Sequence, residues 1–367
     1  MGAQDSAAGP GAAPDDLLER LGTARHYIEA LLPGAVAVEG PQPVFLLPAV
    51  AADVLRNRFL ELQRRLAPLG LLPLLRARAG QPVLLLIPRP APGRWAWHTN
   101  ALLFLATIAT TFYSGFLQTR EIMAAGFPGS AVAGGIAFSA SVLFILGAHE
   151  MGHKVIALRR GIDASLPYFL PMIPPVGTMG AVIMTRTPAP NRDSLMDLGA
   201  SGPIAGFLAA IPVLIYGVSQ SFVLSPGRLQ DVVTIPDPLL IRWLIELVLR
   251  PPADMVVLGH PVLFAGWIGL IVTSINLLPA GMLDGGHAVR AAFGPRVHAA
   301  LSYAGAGLAV VMGFYPMAIL IILLMRRGHV GPLDDLSPLS PSRRAIGLAL
   351  VVIFVLSAVV FPSPFTR

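Results

Sequence analysis

The chain has 367 residues, of which 54% are hydrophobic and 13% charged, and its mean hydropathy is +0.70. A water-soluble chain of this length has too little interior to hide that much apolar surface, so lipid is the expected solvent for much of it. The formal charge of +6 does not point to nucleic acid: Lys154 is the only lysine, the arginines are scattered or flank apolar segments, and no basic face interleaved with aromatics occurs. The absence of cysteine excludes disulfides, thiolate catalysis and Cys-based metal sites.

Residues 1–16, rich in Ala, Gly and Pro and without an apolar core, read as a disordered leader rather than a signal peptide. From Leu17 to Leu32, apolar residues recur at helical spacing (Leu17, Leu21, Ala24, Ile28, Leu31) and Pro33-Gly34 closes the segment. Val36, Val38 and Val44–Leu47 predict strands, Asp53–Ala67 an amphipathic helix, and Leu71–Leu75 with Val83–Ile87 a hairpin turning at Ala79-Gly80-Gln81. Together these make a small soluble α+β domain over 17–92, with no catalytic cluster of its own, read as a regulatory or docking module.

An interfacial linker over 93–98, marked by Trp95 and Trp97, leads into apolar segments that occupy 99–362, with 363–367 left as a tail. Candidate spans are Thr99–Gln118, Ala131–Leu158, Leu195–Val218, Val262–Leu278, His298–Met325 and Ala345–Phe361; crossing a bilayer takes about 20 residues. Gly313-Phe314-Tyr315-Pro316 interrupts the fifth, which is either one long kinked helix or a helical hairpin. Ile241–Leu249, short and charged, predicts an interfacial helix. The expected fold is a polytopic α-helical membrane protein of about six to eight spans. Arg89 and Arg94 before the first span, and Lys154, Arg159 and Arg160 after the second, put the amino-terminal domain and the end of the second span on the cytoplasmic side.

The chemistry concentrates in His149-Glu150-Met151-Gly152-His153. On a helix, His149 and His153 lie one turn apart on one face and can grip one metal ion. Glu150, next to the first histidine, can take a proton from water at that metal. The apolar run Ser141–Leu146 leads directly into this segment, placing three ionisable groups near lipid depth, where such groups are expensive and usually functional. Two histidines leave a hydrolytic zinc site one protein ligand short. Among Asp163, Asp193, Asp197 and Asp284, the last stands out. It follows an apolar span that Pro279 and the glycines 281, 285 and 286 would break, so that backbone lines a cavity at membrane depth. The other three read as loop or cap residues.

HEMGH followed by Asn276-Leu277-Leu278-Pro279-Ala280-Gly281-Met282-Leu283-Asp284-Gly285 resembles the paired motifs of the site-2 protease family of intramembrane zinc metalloproteases. Leu166–Phe169, Pro174–Ala181 and Gly199–Gly206 match intervening elements. The combination is most similar to the branch holding the chloroplast ethylene-dependent gravitropism-deficient and yellow-green proteins and their prokaryotic relatives, over roughly residues 95–362. The resemblance implies one Zn2+ per chain held by His149, His153 and Asp284, with Glu150 as general base. It further implies Asn276 as a polar group beside the reacting centre, although capping a broken helix end would equally explain that amide. His287 reads as a group outside the ligand set.

The proline- and glycine-rich stretch Leu166–Thr187 resembles the family's membrane-associated β-hairpin or re-entrant loop. An edge strand there could hold an unwound substrate segment, with Gly177 and Gly180 allowing close approach, or the stretch could simply plug the bundle. Gly199, Gly202 and Gly206 read as a small-residue packing face. The implied function is cleavage of a transmembrane or membrane-tethered protein in or near the bilayer, in a multi-pass protein of a prokaryotic cytoplasmic membrane. The competing classes are a catalytically silent scaffold or chaperone of the same fold, disfavoured by the intact Glu150, and an ion- or proton-coupled transporter. A transporter should show two matched broken segments, and the break at Pro279–Gly286 has no convincing counterpart.

Overall fold

A computed structural model describes residues 14–38, 43–48, 51–90, 96–225, 235–252, 254–326 and 328–361. The expected leader up to residue 13, the linker at 93–95, Arg327 and the tail at 363–367 lie outside the described residues. The chain divides into two compact units, Met1–Pro92 with Leu333–Pro338, and Gly93–Pro332 with Leu339–Arg367.

In the first unit, helices α1 (Pro14–Leu31) and α2 (Ala52–Leu66) accompany strands β1 (Val36–Val38), β2 (Val44–Leu46), β3 (Leu71–Arg78) and β4 (Gln81–Pro88). The strands form an antiparallel sheet in the order β1-β2-β4-β3. Ala24 and Ile28 of α1 and Leu55, Phe59 and Leu62 of α2 bury their apolar faces with Phe45, Leu75 and Leu84 of the sheet, as the helical and alternating periodicities require. The unit also recruits a segment far away in sequence. The Leu75 amide donates to the Leu333 carbonyl at 2.8 Å, the Arg76 guanidinium donates to the same carbonyl at 3.0 Å, and Leu333 joins the core.

The second unit is mainly helical. Its elements are α3 (Trp97–Ala124), α4 (Ala131–Arg159), β5 (Tyr168–Pro171), β6 (Thr178–Val182), α5 (Arg192–Ser219), β7 (Phe222–Leu224), α6 (Leu239–Val248), β8 (Val256–Leu258), α7 (Pro261–Asn276), α8 (Asp284–Val311), α9 (Tyr315–Met325) and α10 (Pro341–Ser357). Among the described residues, α3, α4 and α5 are long and apolar enough to cross a membrane; α7 and α9 are apolar but shorter. The most apolar window of α5 is 61% buried, against 28% in α3 and 39% in α4, so α5 is the central helix. It packs against α4, α6, α7, α8 and α10. The segment expected over His298–Met325 belongs to two helices that pack on each other. The first starts earlier than expected, at Asp284, bends at Gly294-Pro295, and ends before Gly313, which has φ +85°.

The hairpin β5–β6 is fastened to α3 by polar side chains. Asn100 donates to the Leu166 and Pro167 carbonyls at 3.0 and 2.9 Å, Thr110 to the Gly177 carbonyl at 2.7 Å, and Gln118 to the Pro175 carbonyl at 2.9 Å. These carbonyls have no regular ladder to enter, and an unpaired one away from water costs several kcal/mol.

Asp197 of α5 receives Arg160 beyond α4 and Arg343 of α10, while Asp193 receives the Ser340 hydroxyl and amide. The Asp197 side chain is only 9% exposed and its arginines 33% and 28%, so the cluster falls between surface and buried ion pairs. Asp197→Ala is therefore expected to destabilise the protein by about 1–3 kcal/mol. Thermal unfolding in detergent would show this as a lowered midpoint; an unchanged midpoint would mean that the three helices do not depend on this carboxylate.

Candidate metal centre

The apolar face of α4, with Val142, Ile145 and Leu146 buried in the core, continues into His149, Glu150 and His153. At spacings of three and four residues these project from one face, and they are only 2%, 5% and 6% exposed. The two imidazole rings stand 5.0 Å apart at 68°. Asp284 comes from another part of the fold. Helix α7 stops at Asn276, Leu277–Leu283 turns irregularly, and Asp284 opens α8, where a carboxylate suits the positive end of the helix dipole.

Its Oδ2 lies 3.2 Å from His149 Nε2 and 3.3 Å from His153 Nε2. One donor atom from each of the three residues falls within 4.8 Å of the others. Among the described residues this is the only His/Cys/Asp/Glu group that could hold a metal ion.

The tautomer of His153 suits such a role. Its Nδ1 lies 2.8 Å from the Leu198 carbonyl oxygen. A carbonyl can only accept, so Nδ1 carries a proton, and in the neutral ring this leaves the Nε2 lone pair facing Asp284 and His149. Asn276, the last residue of α7, places Nδ2 3.3 Å from His149 Nε2, so its amide faces the cluster. The Ile183 backbone amide faces the Glu150 carboxylate.

The glycines of α5 lie directly against these rings, where the sequence suggested helix packing alone. A Cβ at Gly202 would stand 2.0 Å from His153 Nε2, and one at Gly206 3.0 Å from His149 Nδ1; at Gly199 it would meet the Asp284 carbonyl oxygen at 2.7 Å. Spacing of three and four residues between these glycines was the signal, and its target became visible only in three dimensions. Asp163, Asp193 and Asp197 stand apart from the cluster, paired with Arg186, Ser340 and two arginines.

His149, Glu150, His153, Asn276, Asp284 and His287 line a cavity of about 420 Å³, with Ala181–Ile183 of the hairpin region and Thr185–Ala189 forming another wall. Gly177 and Gly180 are not on this wall. Gly177 presses against α3, where a Cβ would come within 2.7 Å of Thr111 Cα, and a Cβ on Gly180 would meet nothing within 4 Å. The part of the hairpin that reaches the cavity begins one residue later, because β6 runs from α3 toward α4 and the site lies at its far end. His329, which no motif singled out, also lines the cavity and bonds His287.

The profile described as Peptidase family M50 matches residues 137–320. A probable zinc metalloprotease of Arabidopsis thaliana, EGY1 (chloroplastic), is 34% identical over 227 residues, 58% of this chain and 40% of that protein. Its namesake in Oryza sativa subsp. japonica is 30% identical over 223 residues, 58% and 38% of the two chains. Arabidopsis EGY2, also described as a probable chloroplastic zinc metalloprotease, is 27% identical over 258 residues, 67% and 43%. The chain thus spans about two fifths of the length of these curated relatives. No solved structure matches.

Gly202→Ala should expel the His153 ring and lower divalent-metal retention by about tenfold or more, on the scale of lost supporting contacts in metal sites. Gly147→Ala, on the same helix as the histidines but with open space around it, should retain metal. Elemental analysis of both purified variants, with helical content checked by circular dichroism, makes the comparison; equal retention would place the metal elsewhere.

Proposed function

The chain belongs to Peptidase family M50, and on that footing we propose that it is a zinc-dependent intramembrane endopeptidase that hydrolyses a peptide bond in or near a transmembrane segment of a membrane protein. The observation that carries this reading is the convergence of His149, His153 and Asp284 beside Glu150 in one buried cavity. Two imidazoles and a carboxylate are a donor set found in hydrolytic zinc sites, which keep a further position open for water or substrate.

His149 and His153 through Nε2, and Asp284 through Oδ2, would hold the ion. When bound, zinc supplies Lewis-acid polarisation of the carbonyl and acidifies water near neutral pH. Glu150 takes a proton from the attacking water as the C–O bond forms and returns it to the amine nitrogen, after which the C–N bond breaks and the carbonyl is restored. Asn276, with its amide beside His149, donates to the carbonyl oxygen as charge grows there. Leu198 fixes the His153 ring, and the α5 glycines let both rings sit close to α5.

We read the protein as multi-pass, with six to eight crossings supplied by α3, α4, α5, α7 and the broken and shorter helices after them. The arginines around the first two spans support an orientation in which the 17–92 domain and the cavity mouth face the cytoplasm of a prokaryotic cell. The apolar helices around the site support this substrate class. A helix in the bilayer hides its carbonyls in its own hydrogen bonds, so a substrate must unwind before it can be cut, and the hairpin wall at Ala181–Ile183 offers extended backbone beside the site.

The full chain in lipid nanodiscs should contain one zinc, lost in His149→Ala and in Asp284→Ala. Glu150→Gln should keep the zinc and slow cleavage by about 10²–10⁴-fold, and a chelator should abolish cleavage reversibly. Membrane proteomes of cells carrying wild type or Glu150→Gln should differ by proteins that accumulate uncut in the mutant. Full zinc retention in both alanine variants would sink the ligand set, and identical proteomes with identical cleavage rates would sink the protease.

A further inference from the structure

A second group of histidines adjoins the site. His287 lies one helical turn beyond Asp284 on α8, on the same face, and lines the same cavity. Its Nδ1 stands 2.8 Å from His329 Nε2. The proton positions in this pair follow from the donor at its far end. The Gly331 backbone amide donates to His329 Nδ1 at 2.9 Å, which leaves that nitrogen without a proton. An imidazole bearing no proton is chemically excluded, so His329 Nε2 carries one and donates it to His287 Nδ1. His287 is thereby an acceptor at Nδ1, and its proton sits on Nε2.

The surroundings hold this chain in place. His298 packs edge-on against the His329 ring, 5.0 Å between centroids at 74°, and is itself anchored by donating from Nε2 to the Gly281 carbonyl at 3.0 Å. Gly331 has φ +73°, a left-handed backbone conformation that favours glycine at the residue that feeds the chain.

We propose that His287 presents a fixed Nε2–H hydrogen-bond donor to the carbonyl oxygen of the peptide bond being cut, its tautomer set by His329 and the Gly331 amide. This rests on the endopeptidase reading above. A protonated Nε2 has no lone pair for a metal, so His287 stands outside the ligand set while facing the same cavity. Negative charge grows on the carbonyl oxygen during attack, and a donor already oriented there needs no reorganisation, so its benefit falls on kcat rather than on KM.

The test has two arms on the full chain in nanodiscs. Nitrogen-15 imidazole spectra should show His287 and His329 both protonated on Nε2, and His287 should lose its single tautomer in His329→Leu. A His287 signal with the proton on Nδ1 would overturn the proposal. In the kinetic arm, His287→Leu should lower kcat for a transmembrane reporter by about 10²-fold with KM and zinc content unchanged, and His329→Leu should give a smaller loss. The double variant should be no slower than His287→Leu. His287→Gln, which keeps an N–H donor, should recover most of the rate; recovery no better than leucine would overturn the donor role. Wild type cutting no faster than Glu150→Gln would instead remove the protease reading, and the spectra would still decide the tautomer.

Discussion

A carboxylate packed among apolar helices must be neutralised, because transfer of an unpaired charge out of water costs several kcal/mol even after relaxation. Asp284 meets that constraint by lying 3.2 and 3.3 Å from two imidazole nitrogens of α4. Nε2–H donors or a divalent cation among the three groups would supply the compensating positive charge. Much of the second unit follows from bringing that carboxylate to that place. The chain has to break after Asn276 so that Asp284 can begin a new helix, and α5 has to come close enough to carry both rings on its surface.

Helix α5 meets the second requirement by having almost no side chains where the rings lie. Gly199, Gly202 and Gly206 face the start of α8, His153 and His149 in turn. Small residues serve in membranes as contact points between helices, where close backbone approach replaces a hydrophobic driving force. Here the same device makes room for the two imidazoles, and the Leu198 carbonyl one turn earlier orients one of them. On the proposed reading packing and chemistry share residues, and a methyl group added to α5 should act on the site as directly as a change in a ligand.

The periodic elements were legible in the sequence because burial dictates their pattern. Apolar spacing located α1, α2, the β3–β4 hairpin and the long helices α3, α4 and α5, and the HEMGH segment announced itself by three ionisable groups in an apolar run. Elements defined by contacts between distant segments were not. Leu333 enters the core of the first unit from far beyond its strands, and no local pattern marks such a visitor. The start of α8 at Asp284 was hidden because Gly285 and Gly286, which read as helix breakers, are accommodated where their Cα atoms approach the Leu277–Gly281 backbone. Gly177 was recognised as a point of close approach, but its neighbour is α3 rather than the cavity. His329 carried no signal, since a single histidine in a loop acquires meaning only from the ring it touches.

Irregular backbone and the proposed hydrolytic chemistry place the same demand on this fold. The walls at Thr185–Ala189, Met282–Leu283 and His329–Gly331 are not regular helix or strand, and their amides and carbonyls need partners that lipid does not offer. On the α3 side of the hairpin, side chains such as Asn100, Thr110 and Gln118 provide them. On the cavity side, space of about 420 Å³ is large enough for several water molecules, each of which needs polar partners to be held. Peptide hydrolysis consumes one water per bond cut, and a closed apolar bundle would exclude it. On the proposed reading, breaking the helices around Asp284 would serve both ends: it would deliver a third donor to the histidines, and it would surround the reacting centre with backbone groups that can hold water there.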